Sequence, residues 1–313
     1  MKILITGVSG FIGSSITDYI LNFSNNYLVY GVFRNKNRVS SNIISHPNFF
    51  PIHSSIEDLS SDTFKGIDLV IHCAGPAASS KFKSKIEIVK SLVNPTIHLL
   101  NILKSSKKNI SFYYLSSGAV YGEGCPKNGF SETDSLRLDN SSDLYSSGKI
   151  YCESLLTYYS NYFPIVSLRL FSFFGKGMNS NFPYAICEFI HKSLNNIDID
   201  ILSKNNLRNY LDLRDLNKYI VRLFDLKFGI GVKSGLEVLN IGSQNTKSVQ
   251  ELAEKTVLLM NSKSQIICKN NHKTIRKNYF PNLNKLNNLV KIKETIFEDS
   301  LLYTINKFKY LYD

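Results

Sequence analysis

The sequence is short of the features that mark several protein classes. Its cysteines, at 73, 125, 152, 187 and 268, are odd in number and form no CxxC pair. That argues against a disulfide framework or a zinc site. No apolar run reaches the roughly 18–20 residues needed to span a bilayer. The N-terminal stretch MKILITGVSGFIGSS does not read as a signal peptide. Gly7, Ser9 and Gly10 cut its apolar run, and no cleavage-like region follows. There is no internal repeat, no long low-complexity linker and no recognisable nucleic-acid-binding module. These absences predict a soluble, cytoplasmic protein with no metal and with neither membrane nor nucleic acid as partner.

What is present is ordinary globular composition: 313 residues, 43% apolar and 20% charged. A wholly disordered or fibrous chain is excluded. The unusual quantity is the formal net charge of +12, from 37 Lys+Arg against 25 Asp+Glu. The cations recur throughout, with local Lys enrichment over 263–293. Charge alone speaks to solubility and nonspecific binding, so most of it reads as a solvated basic surface.

Short apolar runs at 2–6, 27–33, 68–73, 110–116 and 165–171, with a weaker one at 49–52, read as strands. Helical spacing marks 12–23, 86–104 (with an interruption at Pro95) and 143–159. Strands and helices alternating about every thirty residues predict a doubly wound parallel sheet with helices on both faces. After Phe171 the alternation loosens. A helix is expected over 183–194, then a strand pair at 198–202 and 208–212. Further helices are expected at 215–226, 248–260 and 298–308, with a strand at 237–241. The expected organisation is a doubly wound domain of 1–172 plus 236–261. A smaller interleaved α/β domain of 173–235 plus 262–313 would bind substrate.

Gly7, Gly10 and Gly13 lie between the first strand and the first helix. Such glycines serve a tight turn, close approach of a pyrophosphate and helix-on-strand packing. The helix N-terminus adds free N–H groups for phosphate. This GxxGxxG arises by chance only about 0.05 times in a chain of this composition. The end of the second strand would carry an acid for the ribose 2′-OH of NAD. Here it reads Arg34-Asn35-Lys36-Asn37-Arg38. An arginine fork suits a 2′-phosphate, so NADP(H) is favoured, with NAD(H) as the alternative.

Tyr145 and Lys149 sit at i and i+4 and share one helical face. An ammonium beside a phenol favours phenolate and makes the tyrosine a usable acid or base. Chance supplies about 1.7 such pairs, and Tyr303/Lys307 is a second one, read as structural. Position separates them, because the first follows the strand ending Leu115-Ser116-Ser117-Gly118-Ala119-Val120-Tyr121-Gly122. Ligands of open parallel sheets bind at strand carboxyl ends.

Together, Thr6-Gly7-Val8-Ser9-Gly10-Phe11-Ile12-Gly13, the Ser-Ser turn and Tyr-x-x-x-Lys resemble the extended short-chain dehydrogenase/reductases that act on nucleotide sugars. The resemblance covers essentially the whole chain and implies a Rossmann-type fold. It implies Ser117, Tyr145 and Lys149 as catalytic residues. It also implies a cofactor site of Gly7, Gly10, Phe11, Ile12, Gly13, Arg34, Asn35, Arg38, Cys73, Ala74, Gly75, Ser116, Tyr145 and Lys149. The segment Asp68-Leu69-Val70-Ile71-His72-Cys73-Ala74-Gly75 is similar to the family's cofactor-lining fourth strand. Arg208 opens a segment similar to R-x-Y-x-x-V-x-D, whose Arg lies near the substrate diphosphate. Arg276 stands where a second such Arg often occurs, and Ser172 replaces the usual Asn of R-x-F-N. Relatives often dimerise through the helix bearing Tyr and Lys, so a homodimer is expected.

Departures from the pattern narrow the reaction. Ser117-Gly118-Ala119 stands where the 4,6-dehydratases carry Thr-Asp-Glu, so the acids of elimination are missing. Leu92 replaces a common Asn, and Pro95 a Gly. The reading favoured here is an NADP(H)-dependent 4-ketoreductase of a 4-keto-6-deoxy nucleotide sugar, serving surface-polysaccharide sugar synthesis. The alternatives are a 4-epimerase with retained NAD and, in another class, a non-catalytic dinucleotide sensor.

Overall fold

The apolar runs of the N-terminal half become strands of one sheet. In chain order the elements are β1 (Lys2–Thr6), α1 (Phe11–Phe23), β2 (Leu28–Phe33), α2 (Ser41–Ile44), β3 (Phe49–His53), β4 (Leu69–His72), α3 (Lys85–Ser105), β5 (Ser111–Ser117), α4 (Leu144–Tyr159) and β6 (Pro164–Leu170). There follow β7 (Phe173–Phe174), α5 (Ala185–Leu194), β8 (Ile199–Ile201), β9 (Leu207–Asn209), β10 (Leu211–Asp212), α6 (Leu213–Asp225), β11 (Gly235–Ile241), β12 (Thr246–Ser248), α7 (Val249–Met260), β13 (Ile266–Cys268), α8 (Asn284–Leu289) and α9 (Phe297–Lys309). This computed structural model describes residues 1–76, 84–106, 108–138, 143–178, 180, 182, 184–202, 204–226, 233–269 and 278–309. The chain forms two compact units. The first is Met1–Gly122, Ser135–Leu170 and Asn217–Leu239; the second is Glu123–Asp134, Phe171–Leu216 and Asn240–Asp313.

The sheet runs in the order β11-β6-β5-β4-β1-β2-β3. Pairing is parallel from β3 through β6. Ile3, Leu4 and Ile5 of β1 and Leu69, Val70 and Ile71 of β4 are fully buried, as expected of strands covered on both faces. The order reverses between β1 and β4, which opens the crevice where doubly wound sheets bind ligands. The turn after β1 and the loop after β4 both lie there.

On one face α3 packs along α4. Leu92, Leu99, Leu103, Cys152, Leu156 and Tyr159 join a single buried cluster with Leu4, Val70 and Phe112 of the strands. Each fully buried aliphatic side chain contributes about 1.5–3 kcal/mol. The expected break at Pro95 does not occur, since α3 is one helix with the proline inside it. Proline lacks the N–H for the i−4 carbonyl. The next residue, Thr96, donates its hydroxyl proton to the Leu92 carbonyl at 2.6 Å.

In the second unit α5 and α7 pack together and α7 meets α9. The expected pairing of 198–202 with 208–212 is not made. β8 instead pairs in parallel with β13, and β9 pairs antiparallel with β12. β10 pairs with β7. The Tyr303 ring carries the Arg214 guanidinium at 4.1 Å, and the Lys307 ammonium stands 5.8 Å from its centroid. The second Tyr/Lys pair is thus part of the α9 packing.

Candidate active site

The turn after β1 is built for close approach. Gly7 has φ +75, and a Cβ there would stand 2.8 Å from the Ala74 backbone. A Cβ on Gly13 would run into the Gly7 carbonyl oxygen, so α1 sits directly on the turn. Gly10 is the N-cap of α1 and supplies no side-chain cap. No side chain caps the first turn of α1, and the helix presents a positive dipole end there that suits an anion. Phe11 and Ile12 are half-buried behind it.

A buried polar thread holds this turn to the next loop. The Thr6 hydroxyl lies 2.7 Å from His72 Nδ1, and the Ala74 N–H donates to the same hydroxyl at 3.3 Å. His72 Nε2 lies 3.2 Å from Thr96 Oγ1. Thr96 already gives its proton to Leu92, so it accepts from His72 Nε2–H. Nδ1 then accepts from Thr6. The ring is neutral: burial, with the Lys149 ammonium nearby, pushes His72 down to about 3. Cys73 and Ala74 are half-buried and Gly75 is exposed along this loop. Burial pushes the Cys73 thiol up.

At the end of β2, Arg34, Asn35 and Arg38 are exposed. The Asn35 side chain accepts from the Asn37 N–H at 3.0 Å and caps a short turn. His53, at the end of β3, lies with Nε2 2.8 Å from the Arg34 carbonyl.

The strand β5 delivers Ser116 and Ser117. Ser117 Oγ accepts from the Ala119 N–H at 3.1 Å, which leaves its own proton to donate outward. Ser116 is buried, and its hydroxyl donates to Glu153 at 2.5 Å, so that hydroxyl is spent inside the protein. Asp143 caps α4 through the Ser146 N–H at 3.1 Å and the Ser146 hydroxyl at 2.6 Å. That start point sets Tyr145, half-buried, and Lys149, 6% exposed, on one face.

Lys149 donates to the Leu115 carbonyl at 2.6 Å. Its ammonium lies 4.6 Å from the centre of the Tyr114 ring and 6.0 Å from that of Tyr145. Burial, opposed by Cys152, Glu153 and Cys73, brings Lys149 down to about 8. An ammonium has three donors. Among the described residues Leu115 is the one hydrogen-bond acceptor it meets. Leu92, the departure noted in the sequence, fills the space between loop and helix. A Cβ on Gly75 would stand 3.1 Å, and one on Gly148 2.8 Å, from its methyl groups.

Ser172 and Arg208 belong to the second unit. The Ser172 carbonyl accepts from the Leu211 N–H at 3.0 Å. Arg208 is half-buried, donates to the Leu207 carbonyl at 2.9 Å and lies 5.8 Å from the Tyr279 ring centre. Arg276 lies outside the described residues.

Several residues that shape the first unit's site have no role in the sequence reading: Thr6 and Tyr121, which stand there only within motifs, and Thr96, Glu153 and Arg169. Glu153 and Arg169 form an ion pair at 2.7 Å, each with a side chain 6% exposed. A glutamate on an otherwise buried helix face, four residues after Lys149, was the available signal.

The sheet order, the glycine turn and the strand-end serine with its helical Tyr/Lys define a dinucleotide-binding α/β protein of the short-chain dehydrogenase/reductase kind. The model of the NAD dependent epimerase/dehydratase family matches residues 3–242, and the chain belongs to that family. Among curated proteins it is 26% identical over 275 residues to a UDP-N-acetyl-alpha-D-glucosaminuronate decarboxylase of Bacillus cytotoxicus, covering 85% of this chain and 82% of the relative. It is 29% identical over 277 residues to a dTDP-D-glucose 4,6-dehydratase of Dictyostelium discoideum, covering 82% of this chain and 61% of the relative. Among solved structures, the UDP-glucuronic acid 4-epimerase of Bacillus cereus, in complex with UDP-glucuronic acid and NAD, superposes with TM-score 0.85 at 23% identity over 100% of both chains.

Proposed function

We propose that this protein is a nucleotide-sugar 4-epimerase that keeps NAD bound through the reaction. One observation carries the reading. Ser117, Tyr145 and Lys149, the residue types of a proton-transfer set, are all present, while Gly118 and Ala119 of the same turn have no ionisable side chain. Such a set can exchange an alcohol for a ketone at one carbon. It offers no second acid there for elimination across a neighbouring bond. The complete set also weighs against a non-catalytic sensor.

The residues fit a dinucleotide. The uncapped α1 N-terminus and the bare Gly7 turn suit a pyrophosphate. The buried Lys149, with donors to spare, suits ribose hydroxyls. When bound, NAD supplies a hydride acceptor that later returns the hydride. Tyr145 takes the proton of the sugar hydroxyl and gives it back after the keto sugar has turned its other face. Ser117 donates to the same oxygen. Lys149 stabilises the phenolate through the buried field of its charge. Gly7, Gly10, Phe11, Ile12, Gly13, Cys73, Ala74 and Gly75 would hold the dinucleotide, and Ser116, whose hydroxyl donates to Glu153, would contribute backbone. Arg208 and Arg276 are assigned to the sugar-nucleotide diphosphate, and Ser172 to the substrate.

The sequence alone favoured ketoreduction. Whole-length likeness to the UDP-glucuronic acid 4-epimerase above and to a UDP-glucose 4-epimerase of Thermotoga maritima supports epimerisation instead. The exposed Arg34, Asn35 and Arg38, with no acid among 34–38, are the observation that keeps the NADP(H)-dependent 4-ketoreductase as the second reading. The two are separated by incubating the purified protein with UDP-, GDP-, CDP- and dTDP-sugars. Epimer formation without added dinucleotide supports the first. NADPH consumption that depends on a 4-keto sugar supports the second. A homodimer through α3 and α4 is part of the proposal. Tyr151 and Tyr158 of α4 are each 52% exposed, and their rings are what the proposed contact would cover.

A further inference from the structure

Glu153 and Lys149 lie four residues apart on α4, the spacing at which an acid and a base ordinarily pair. They do not pair here. Both Glu153 oxygens are taken by Arg169, whose Nε donates to Oε1 at 3.1 Å and whose Nη2 donates to Oε2 at 2.7 Å. Oε1 also accepts from Ser116 at 2.5 Å and Ser167 at 3.2 Å. Arg169 Nη1 donates to the Tyr121 hydroxyl at 2.7 Å, and its guanidinium lies 4.9 Å from the centre of that ring. Ser116 and Tyr121 bracket Ser117 and its turn. The ion pair thus ties together the helix bearing Tyr145 and Lys149, the end of β5, the turn after it, and β6.

The groups facing the Lys149 ammonium can be counted element by element. His72 and Cys73 come from the end of β4, Tyr114 from β5, and Tyr145, Cys152 and Glu153 from α4. His72 is neutral, Cys73 and Tyr114 are held in their protonated forms by burial, and the Cys152 thiol donates to the Leu92 carbonyl at 3.6 Å. Apart from the phenol of Tyr145 itself, Glu153 is the anion of this set. It acts on Lys149 through space only, its oxygens being held by Arg169, Ser116 and Ser167.

We propose that Glu153 and Arg169 are positioning residues. Their pair fixes the Ser117 turn against α4, and Arg169 withholds the Glu153 carboxylate from Lys149, so that the ammonium stays committed to Tyr145 and the dinucleotide ribose. The inference rests on the roles given above to Ser117, Tyr145 and Lys149.

Opposite charge changes make opposite predictions. Glu153→Gln keeps the shape and removes the anion, leaving excess positive charge beside the phenol. Arg169→Met frees the carboxylate to pair with Lys149. The first lowers and the second raises the titration midpoint of Tyr145, each by about one pH unit or more. The double variant returns it towards the wild-type value. Protein labelled with [ζ-13C]tyrosine reports this without substrate, the Tyr145 signal being assigned by its loss in Tyr145→Phe. With substrate, kcat falls about tenfold or more in either single variant while KM stays within about threefold, and Arg169→Lys recovers part of kcat.

Removing one partner of a buried pair costs about 3–5 kcal/mol, so Arg169→Met is the variant at risk of not folding. Glu153→Gln and the double variant then decide alone. A Tyr145 midpoint unchanged in folded Glu153→Gln overturns the proposal, as does a shift of the same sign in both single variants. Shifted midpoints in a protein that epimerises no sugar support this inference and retire the epimerase reading.

Discussion

Lys149 is placed where it weakens the fold. Its ammonium is protonated freely in the unfolded chain, near 10.5, but only below about 8 when buried. Below about pH 8 both states hold the proton and the folded state bears the full cost, about 3 kcal/mol from that difference. Between about 8 and 10.5 the folded state has released its proton and the unfolded state has not, so this cost falls as pH rises. Lys149→Met is therefore expected to abolish turnover while stabilising the protein without its dinucleotide by about 1–3 kcal/mol at pH 7. The gain shrinks as urea unfolding is repeated towards pH 10. A variant less stable than wild type at pH 7 contradicts this account. The sequence revealed Lys149 through its spacing from Tyr145, and Ser117 through the strand end. It could not reveal that Leu115, Glu153, His72 and Thr96 surround them, because those contacts join residues 24 to 66 positions apart or depend on which helix face is buried.

Elements were legible in proportion to the strength of their pattern. β1, β4, β5 and β6 are almost wholly buried and stand out as largely apolar runs; α1 and α4 show helical spacing. β8, β12 and β13 are three residues each, too short for a period to declare itself, and a strand's pattern does not name its partner. That is why the pairing of β8 with β13 was missed. The contact of α1 with the turn after β1 was legible as a glycine spacing, and its geometry makes it testable. Gly13→Ala gains about 1 kcal/mol of helix preference. It also drives a methyl group into the fixed Gly7 carbonyl, an overpacking worth about 1–3 kcal/mol that cannot be relieved by turning a side chain. A net loss of stability in thermal unfolding is expected, with loss of retained dinucleotide measured by absorbance of the purified protein. Unchanged stability and unchanged dinucleotide content count against the packing described.

For the whole molecule, the charge of +12 reads from the sequence mostly as a solvated basic surface. Family membership redirects part of it towards small anions, with Arg34 and Arg38 proposed for a cofactor and Arg208 for a diphosphate. No helix among the described residues is long and apolar enough to cross a membrane. Native mass spectrometry is expected to show a dimer carrying one dinucleotide per chain. A Tyr151→Lys, Tyr158→Glu variant is expected to be monomeric, and a monomeric wild type contradicts the assembly proposed.

The central claim is that one carbon of the sugar is oxidised and reduced within a single binding event. Its most direct test is proton NMR of a UDP-hexose or UDP-hexuronate incubated in D2O with purified protein and no added dinucleotide. The account predicts that both C4 epimers appear, with the C4 hydrogen remaining protium because hydride leaves and returns without meeting solvent. No epimer with any sugar tested, deuterium at C4, or conversion only with stoichiometric NADPH would contradict it.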